Sequence, residues 1–261
     1  VADTLLVYAA LCGSAFFAGA INAVGGGGTL LTFPALLAVV SPVTANGTST
    51  VALVPGSLSG AWAYRQEVAH PPRLLKWLLV PSLVGGLIGT ILVTRTEERY
   101  FAAAVPWLIL VAAILLAVQP MVARLTGREA VPAGPMSATK LTVLAGVQLW
   151  VAVYGGYFGA GIGILMLSAL AYMGLRDLHQ MNALKTLLAT MINGTSTAWF
   201  ASEGKVDWRY ALPMAVAAIA GGYAGARLSL RFPASKVRRL VTLFGFALAG
   251  YYLYKQYFGA A

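Results

Sequence analysis

Long apolar runs interrupted by short polar connections set the outline of the chain. Leu5 to Ala23 is continuous and apolar enough to span a bilayer as a helix. Four consecutive glycines follow, Gly25 to Gly28, and then an apolar piece from Thr29 to Val40. At about 1.5 Å per helical residue that piece reaches roughly 18 Å, short of a hydrocarbon core of roughly 30 Å. A polar tip with Asn46, Thr48, Ser49 and Thr50 comes next, and a second short apolar piece ends at Tyr64. Further spans are expected at Trp77 to Val93, Phe101 to Val118, Leu141 to Tyr157, Gly161 to Met173, Leu184 to Ser202, Tyr210 to Leu230 and Val237 to Tyr257. The longest polar connection, Gln119 to Lys140, marks the boundary between a first unit (residues 1–119) and a second (141–261), with 120–140 as the loop between them.

The two units share a pattern. Sliding the sequence by 136 positions, the distance from Gly25 to Gly161, also superposes Gly27 on Gly163, Asn46 on Asn182, Thr50 on Thr186 and Glu67 on Glu203. Arg73 falls on Arg209, Arg95 on Arg231, and Gly85, Gly86 and Gly89 on Gly221, Gly222 and Gly225. Three long segments and one pair of short ones per half give an odd number of crossings, so the second half enters the membrane inverted. The pattern predicts an all-α polytopic membrane protein of two inverted-topology repeats, each with three full spanning helices and a pair of short, re-entrant or broken helices.

Composition strengthens this outline. The chain of 261 residues is 59% hydrophobic and only 10% charged, more apolar surface than a soluble domain of this size can hide. The apolar runs do not alternate, which argues against a membrane β-barrel. The net charge of +10 sits in short loops, as a chain in contact with anionic lipid expects, and no nucleic-acid partner is called for. With the N-terminus outside, inside loops hold ten cations, among them Arg65, Arg73, Lys76, Arg124 and Arg128; outside loops hold Arg95, Arg99, Lys205, Arg209 and Lys255. That bias predicts an inner-membrane, multi-pass protein with both termini outside. The N-terminal stretch lacks a basic n-region and reads as a first span, not a cleaved signal. The single cysteine, Cys12, excludes an intrachain disulfide and reads as a small packed residue. Trp62, Tyr64, Trp77, Trp199, Tyr210 and the tyrosines from Tyr251 to Tyr257 read as interfacial aromatics.

Candidate chemistry concentrates at the breaks. Gly25, Gly26, Gly27 and Gly28 can form a backbone nest for an anion at the start of the Thr29 helix, or serve only to turn and pack the chain. Asn46, Thr48, Ser49 and Thr50, with Asn182 and Thr186 at the equivalent tip, offer amide and hydroxyl donors to an oxyanion; each alone also suits ordinary N-capping. Lys185 is the sharpest single residue: a lysine within an apolar segment is costly and usually functional, here as counter-charge to an anion, unless it snorkels to the headgroups. Asp177, His179, Glu67 and Glu203 are the candidates for carrying a coupling ion, against the reading that they are solvated loop residues. The Gly85 and Gly221 glycine triplets read as packing positions. Two histidines, one cysteine and no GxxxxGK[ST] leave no basis for a metal site, a cofactor, a hydrolytic triad or ATP-driven pumping by this chain.

The order Gly25-Gly-Gly-Gly-Thr-Leu-Leu-Thr-Phe-Pro34, Asn46-Gly-Thr-Ser49, Gly85-Gly86-x-x-Gly89, Gly204-Lys-Val-Asp-Trp208 and Gly221-Gly-x-x-Gly225 resembles the TauE/SafE, or sulfite exporter, family of membrane transporters. The likeness covers almost the whole chain in two copies. It departs in the second half, where Gly159-Ala-Gly-Ile-Gly163 stands in place of a further GGG. The resemblance implies secondary transport of small sulfur-containing anions, such as sulfite or organosulfonates, by alternating access. The rival expectations are an anion channel or facilitator for small carboxylates or other oxyanions, and, more distantly, an intramembrane enzyme or an accessory subunit. A homodimer stays open.

Overall fold

The computed structural model describes residues 2–24, 26–63, 74–126, 138–172, 178–228 and 234–258. Among them the chain forms ten helices and no strand: α1 (Ala2–Val24), α2 (Thr29–Leu37), α3 (Pro42–Ala63), α4 (Leu74–Arg95), α5 (Glu98–Thr126), α6 (Ala138–Tyr157), α7 (Ile162–Tyr172), α8 (Leu178–Ser202), α9 (Trp208–Leu228) and α10 (Ala234–Phe258). Three of the described helices are long and apolar enough to cross a membrane, at Thr4–Ala23, Leu75–Arg95 and Glu98–Val118.

Only one member of each expected short pair is short. α2 has 9 residues and α7 has 11, but α3 has 22 and α8 has 25, about 33 and 37 Å at the helical rise. The polar stretch that reads as a tip is the first turns of α3. Pro42 stands at the helix start, where its missing N–H costs nothing, and Ser41 precedes it. The hydroxyls then return to the helix itself: Thr50 Oγ1 donates to the Asn46 carbonyl at 2.9 Å, and Thr190 Oγ1 in α8 donates to that of Thr186 at 2.8 Å. α5 also runs on through Gln119 to Thr126, so part of the expected loop between halves is helical.

Helix starts follow the offset of 136 seen in the sequence. Ala2, Pro42 and Glu98, each plus 136, give 138, 178 and 234, the first residues of α6, α8 and α10. α1 packs on α9 as α6 packs on α4, and α3 and α8 lie against each other at the centre. The glycine triplets make the outer pairs possible. A Cβ on Gly85 would meet Ala152 Cβ at 2.6 Å, and one on Gly221 would collide with the Phe16 carbonyl. Gly86 faces Ile192 and Thr195 of α8, whereas Gly222 faces Gly56 and Ser59 of α3. Small residues let backbones close to this distance where lipid supplies no hydrophobic drive between helices.

Large apolar side chains point outward from α1, α4, α5, α6, α9 and α10, including Leu6, Trp77, Trp107, Trp150, Val216 and Leu243. Water does not tolerate such a continuous apolar exterior, and a bilayer does. The inner elements are α2, α7 and most of α3 and α8, carrying Leu30, Phe33, Ala52, Met166, Leu188 and Ile192 in the buried core. Trp199 is half-buried, and its indole donates to Thr94 Oγ1 near the end of α4 at 3.1 Å. Trp62, Trp77, Tyr251 and Tyr257 are exposed, as interfacial aromatics are.

Candidate functional site

What meets at the centre is the pair of glycine breaks. In the first, Gly26 and Gly27 take φ of 86° and 102°, values that L side chains rarely adopt. In the second, Gly159 and Gly161 do the same, at 81° and 83°. A Cβ on Gly26 would stand 3.2 Å from the Cα of Gly163, so the two breaks touch backbone to backbone. The Phe33 ring packs edge-on against Phe158 and Phe101, and Phe101 against Tyr157, which locks α2 to the end of α6.

Two donors of the first break are already engaged. Gly26 N–H reaches the Ile21 carbonyl at 3.0 Å and Gly28 N–H reaches Asn22 Oδ1 at 2.8 Å. Asn22 therefore caps the start of α2, where a backbone nest would hold an anion. Gly25 lies outside the described residues.

On one side of this contact stands Lys185, in the second turn of α8 and only 1% exposed. Its Nζ donates to the Asn22 carbonyl at 3.1 Å and to Asn182 Oδ1 at 3.3 Å. Both acceptors are neutral, and Lys185 belongs to none of the ion pairs among the described residues. It does not snorkel. Thr186, the next residue, is 3% exposed and its Oγ1 has no hydrogen-bond partner among the described residues.

On the other side stands Asn46, 1% exposed. Its Nδ2 donates to the Tyr157 carbonyl at the end of α6, at 2.9 Å, while its Oδ1 is buried with no partner among the described residues. Thr48 Oγ1 accepts the Asp207 N–H at 2.9 Å, and the Ser49 and Thr32 hydroxyls bond to each other at 2.6 Å. α3 and α8 run antiparallel: Gly47 abuts Phe200 and Lys205 O, while Gly60 and Ala183 both neighbour Ala23. Asn46, Thr48 and Ser49 thus occupy one end of the crossing and Asn182, Lys185 and Thr186 the other. The glycine contact lies between them, linked through Tyr157 and Asn22.

Of the coupling candidates, Glu203 is described. It pairs with Arg95 at 3.4 Å, and with the arginine two-thirds exposed this is a weak surface bridge. Glu67 and Asp177 lie outside the described residues, as does the side chain of His179. Three partners escape sequence reading: Asn22, Thr32 and Asp207. Asn22 carried a usable signal, a lone amide in an apolar helix directly before a glycine run; the Asp207 contact to Thr48 is made by its backbone N–H, which no side-chain pattern reveals.

The sequence model of the sulfite exporter TauE/SafE family matches residues 11–252, nearly the whole chain and both breaks. The chain belongs to the TauE/SafE family. A probable membrane transporter protein of Haemophilus influenzae is 26% identical over 243 residues, 92% of either chain. One of Xylella fastidiosa, described in the same words, is 30% identical over 248 residues, 91% of either chain. The probable membrane transporter protein YfcA of Escherichia coli K12 is 28% identical over 232 residues, 87% of this chain and 81% of its own. No solved structure matches the chain. Family membership, the apolar exterior and the spanning helices together make it a membrane protein of transporter type.

Proposed function

We propose that this TauE/SafE protein is a secondary transporter that moves small sulfur-containing anions, sulfite or sulfonates, across the cytoplasmic membrane by alternating access. The observation that carries the reading is Lys185, whose fully buried Nζ is held by two neutral oxygens with no acid beside it among the described residues. An uncompensated buried charge costs several kcal/mol, and a bound anion removes that cost. The buried, unpartnered Thr186 hydroxyl is a ready donor beside it, and Asn46 and Asn182 border the same centre.

The helix starts at an offset of 136 and the matching packing of α1 on α9 and α6 on α4 support two inverted repeats, residues 1–119 and 141–261. In this account one repeat rocks against the other about the touching glycine breaks, with both termini outside. Asp177, His179, Glu67 and Glu203 remain the coupling candidates. The described residues bury no carboxylate, which favours a facilitator or channel as the second reading.

Flux of sulfite, sulfate, short sulfonates and carboxylates into proteoliposomes tests the proposal. Saturable, trans-stimulated uptake of the sulfur anions is the expected result. Flux without saturation or counterflow identifies a channel, and absence of any anion preference removes the proposal.

A further inference from the structure

The offset of 136 that relates the two halves also relates the two buried asparagines and their surroundings: Lys185, Asn182 and Asn22 fall on Ser49, Asn46 and Phe158. In the second half the place where the three meet is filled from within the chain. Lys185 Nζ donates to Asn182 Oδ1 at 3.3 Å and to the carbonyl of Asn22, in the last turn of α1, at 3.1 Å. In the first half the twin of the lysine is Ser49, a much shorter side chain whose hydroxyl bonds Thr32 Oγ1 at 2.6 Å. The twin of the amide acceptor is left open: Asn46 is 1% exposed, and its Oδ1 has no hydrogen-bond partner among the described residues. The Tyr157 carbonyl needs a donor and takes Asn46 Nδ2 at 2.9 Å, which fixes the amide orientation. What Asn46 has left to offer is an acceptor, the wrong polarity for an oxyanion. Other acceptors gather at the same turn. α6 ends at Tyr157, with its last carbonyls and the negative end of its dipole toward the break. A Cβ on Gly159 would meet, besides its chain neighbours, only oxygens within 4 Å: Gly155 O at 3.1 Å and Thr29 Oγ1 at 4.0 Å.

We infer that the first half binds a free monovalent cation of sodium size at the place where the second half holds the Lys185 amino group, with Asn46 Oδ1, the Ser49 hydroxyl and the Phe158 carbonyl as its ligands. Amide, hydroxyl and main-chain oxygens replace the water shell of an alkali cation, and the carbonyl ends of broken helices serve this purpose inside membranes. These ligands are neutral and the twin place holds one amino group, so the fit is to a single positive charge. The bound ion satisfies the amide oxygen that the fold otherwise buries unpaired. For the proposed transporter this is the place of a coupling ion that needs no carboxylate; binding of the ion itself does not rest on that function.

The test is thermal unfolding of the purified full chain in detergent, with sodium chloride exchanged for choline chloride at constant ionic strength. The wild-type midpoint is expected to rise with sodium and to saturate, by roughly 3–6 °C at about a tenfold excess over half-saturation. Asn46→Leu removes the amide oxygen at similar size, and Ser49→Lys brings the amino group of the second half into the first; each is expected to abolish the sodium response, whatever its own midpoint in choline. A wild-type midpoint that does not distinguish sodium from choline overturns the site whether or not the variants fold, and is the result expected if water alone meets Asn46 Oδ1. A shift that calcium produces and sodium does not overturns the monovalent assignment. A folded Asn46→Leu protein with the wild-type sodium response overturns it as well. Loss of the sodium response leaves anion flux in proteoliposomes untouched as a separate question, and a sodium response without anion flux removes the transport reading while the cation site stands.

Discussion

At the scale of single residues, the centre is defined by polar atoms that the fold buries without satisfying. A buried hydroxyl left without a partner costs roughly 1–3 kcal/mol, so Thr186 and Asn46 Oδ1 are expensive unless something binds them. This separates a structural from a functional role for Thr186. Thr186→Val removes an unpaired hydroxyl with little change of shape, so stability in detergent is expected to hold or rise. If Thr186 donates to the anion, the same variant raises the KM for methanesulfonate about fivefold to tenfold, measured as concentration-dependent uptake. An unchanged KM places the hydroxyl outside the site. Lys185 itself is legible in the sequence as a lysine in an apolar run. Its partners are not, because a backbone carbonyl on α1, 163 positions away, leaves no mark in residue type.

At the scale of elements, the spans of α1, α4 and α5 follow directly from continuous apolar runs, and the breaks from their glycines. The length of α3 does not. Asn46, Thr48, Ser49 and Thr50 read as a polar tip, yet in a protein interior away from water these groups find partners inside or beside the helix: Thr50 with Asn46, Asn46 with Tyr157, Ser49 with Thr32.

The link between α8 and α9 is held by Asp207, which caps α9 through Arg209 N–H at 3.1 Å and anchors that turn to α3 through Thr48. The Arg209 side chain, hydrogen-bonded to the Asp207 carboxylate at 2.8 Å, holds the Asp207 carboxyl below the usual carboxylate range, with burial opposing. A carboxyl whose folded-state pKa is lowered contributes stability above its unfolded pKa, and that contribution disappears as pH falls through the folded value. Thermal unfolding in detergent is therefore expected to show stability falling in the acid range, and Asp207→Asn to flatten that part of the profile while lowering the plateau near neutrality. A profile identical to wild type contradicts the capping role.

At the scale of the whole molecule, the paired packing of α1 with α9 and α4 with α6 puts two glycine breaks back to back, with Lys185, the buried cation among the described side chains, on one side. The repeat was legible because glycine and asparagine positions keep their spacing; the inequality of the halves is legible too, since Lys185 falls on Ser49. What could not be read is that the breaks, not the polar stretches, form the central contact, because touching backbones require three-dimensional placement of four chain segments. The inverted arrangement has its own test. In a Cys12→Ser background, cysteines placed at Thr96 and Gln256 are expected to react with an impermeant thiol reagent from outside the cell, and a cysteine at Gln66 only after the membrane is opened. Labelling of the Thr96 and Gln256 positions on opposite sides contradicts this topology.

In the proposed transport cycle, buried Lys185 is the counter-charge of the transported anion. Counterflow in proteoliposomes tests it most directly: vesicles loaded with unlabelled methanesulfonate, labelled methanesulfonate outside, wild-type protein against Lys185→Ala and Lys185→Arg, each checked for a monodisperse folded fraction. Labelled anion is expected to accumulate transiently with the wild type. A loss of at least about a hundredfold is expected in Lys185→Ala, from removal of the buried charge partner, and measurable retention in Lys185→Arg. A folded Lys185→Ala protein with wild-type counterflow excludes Lys185 as the counter-charge.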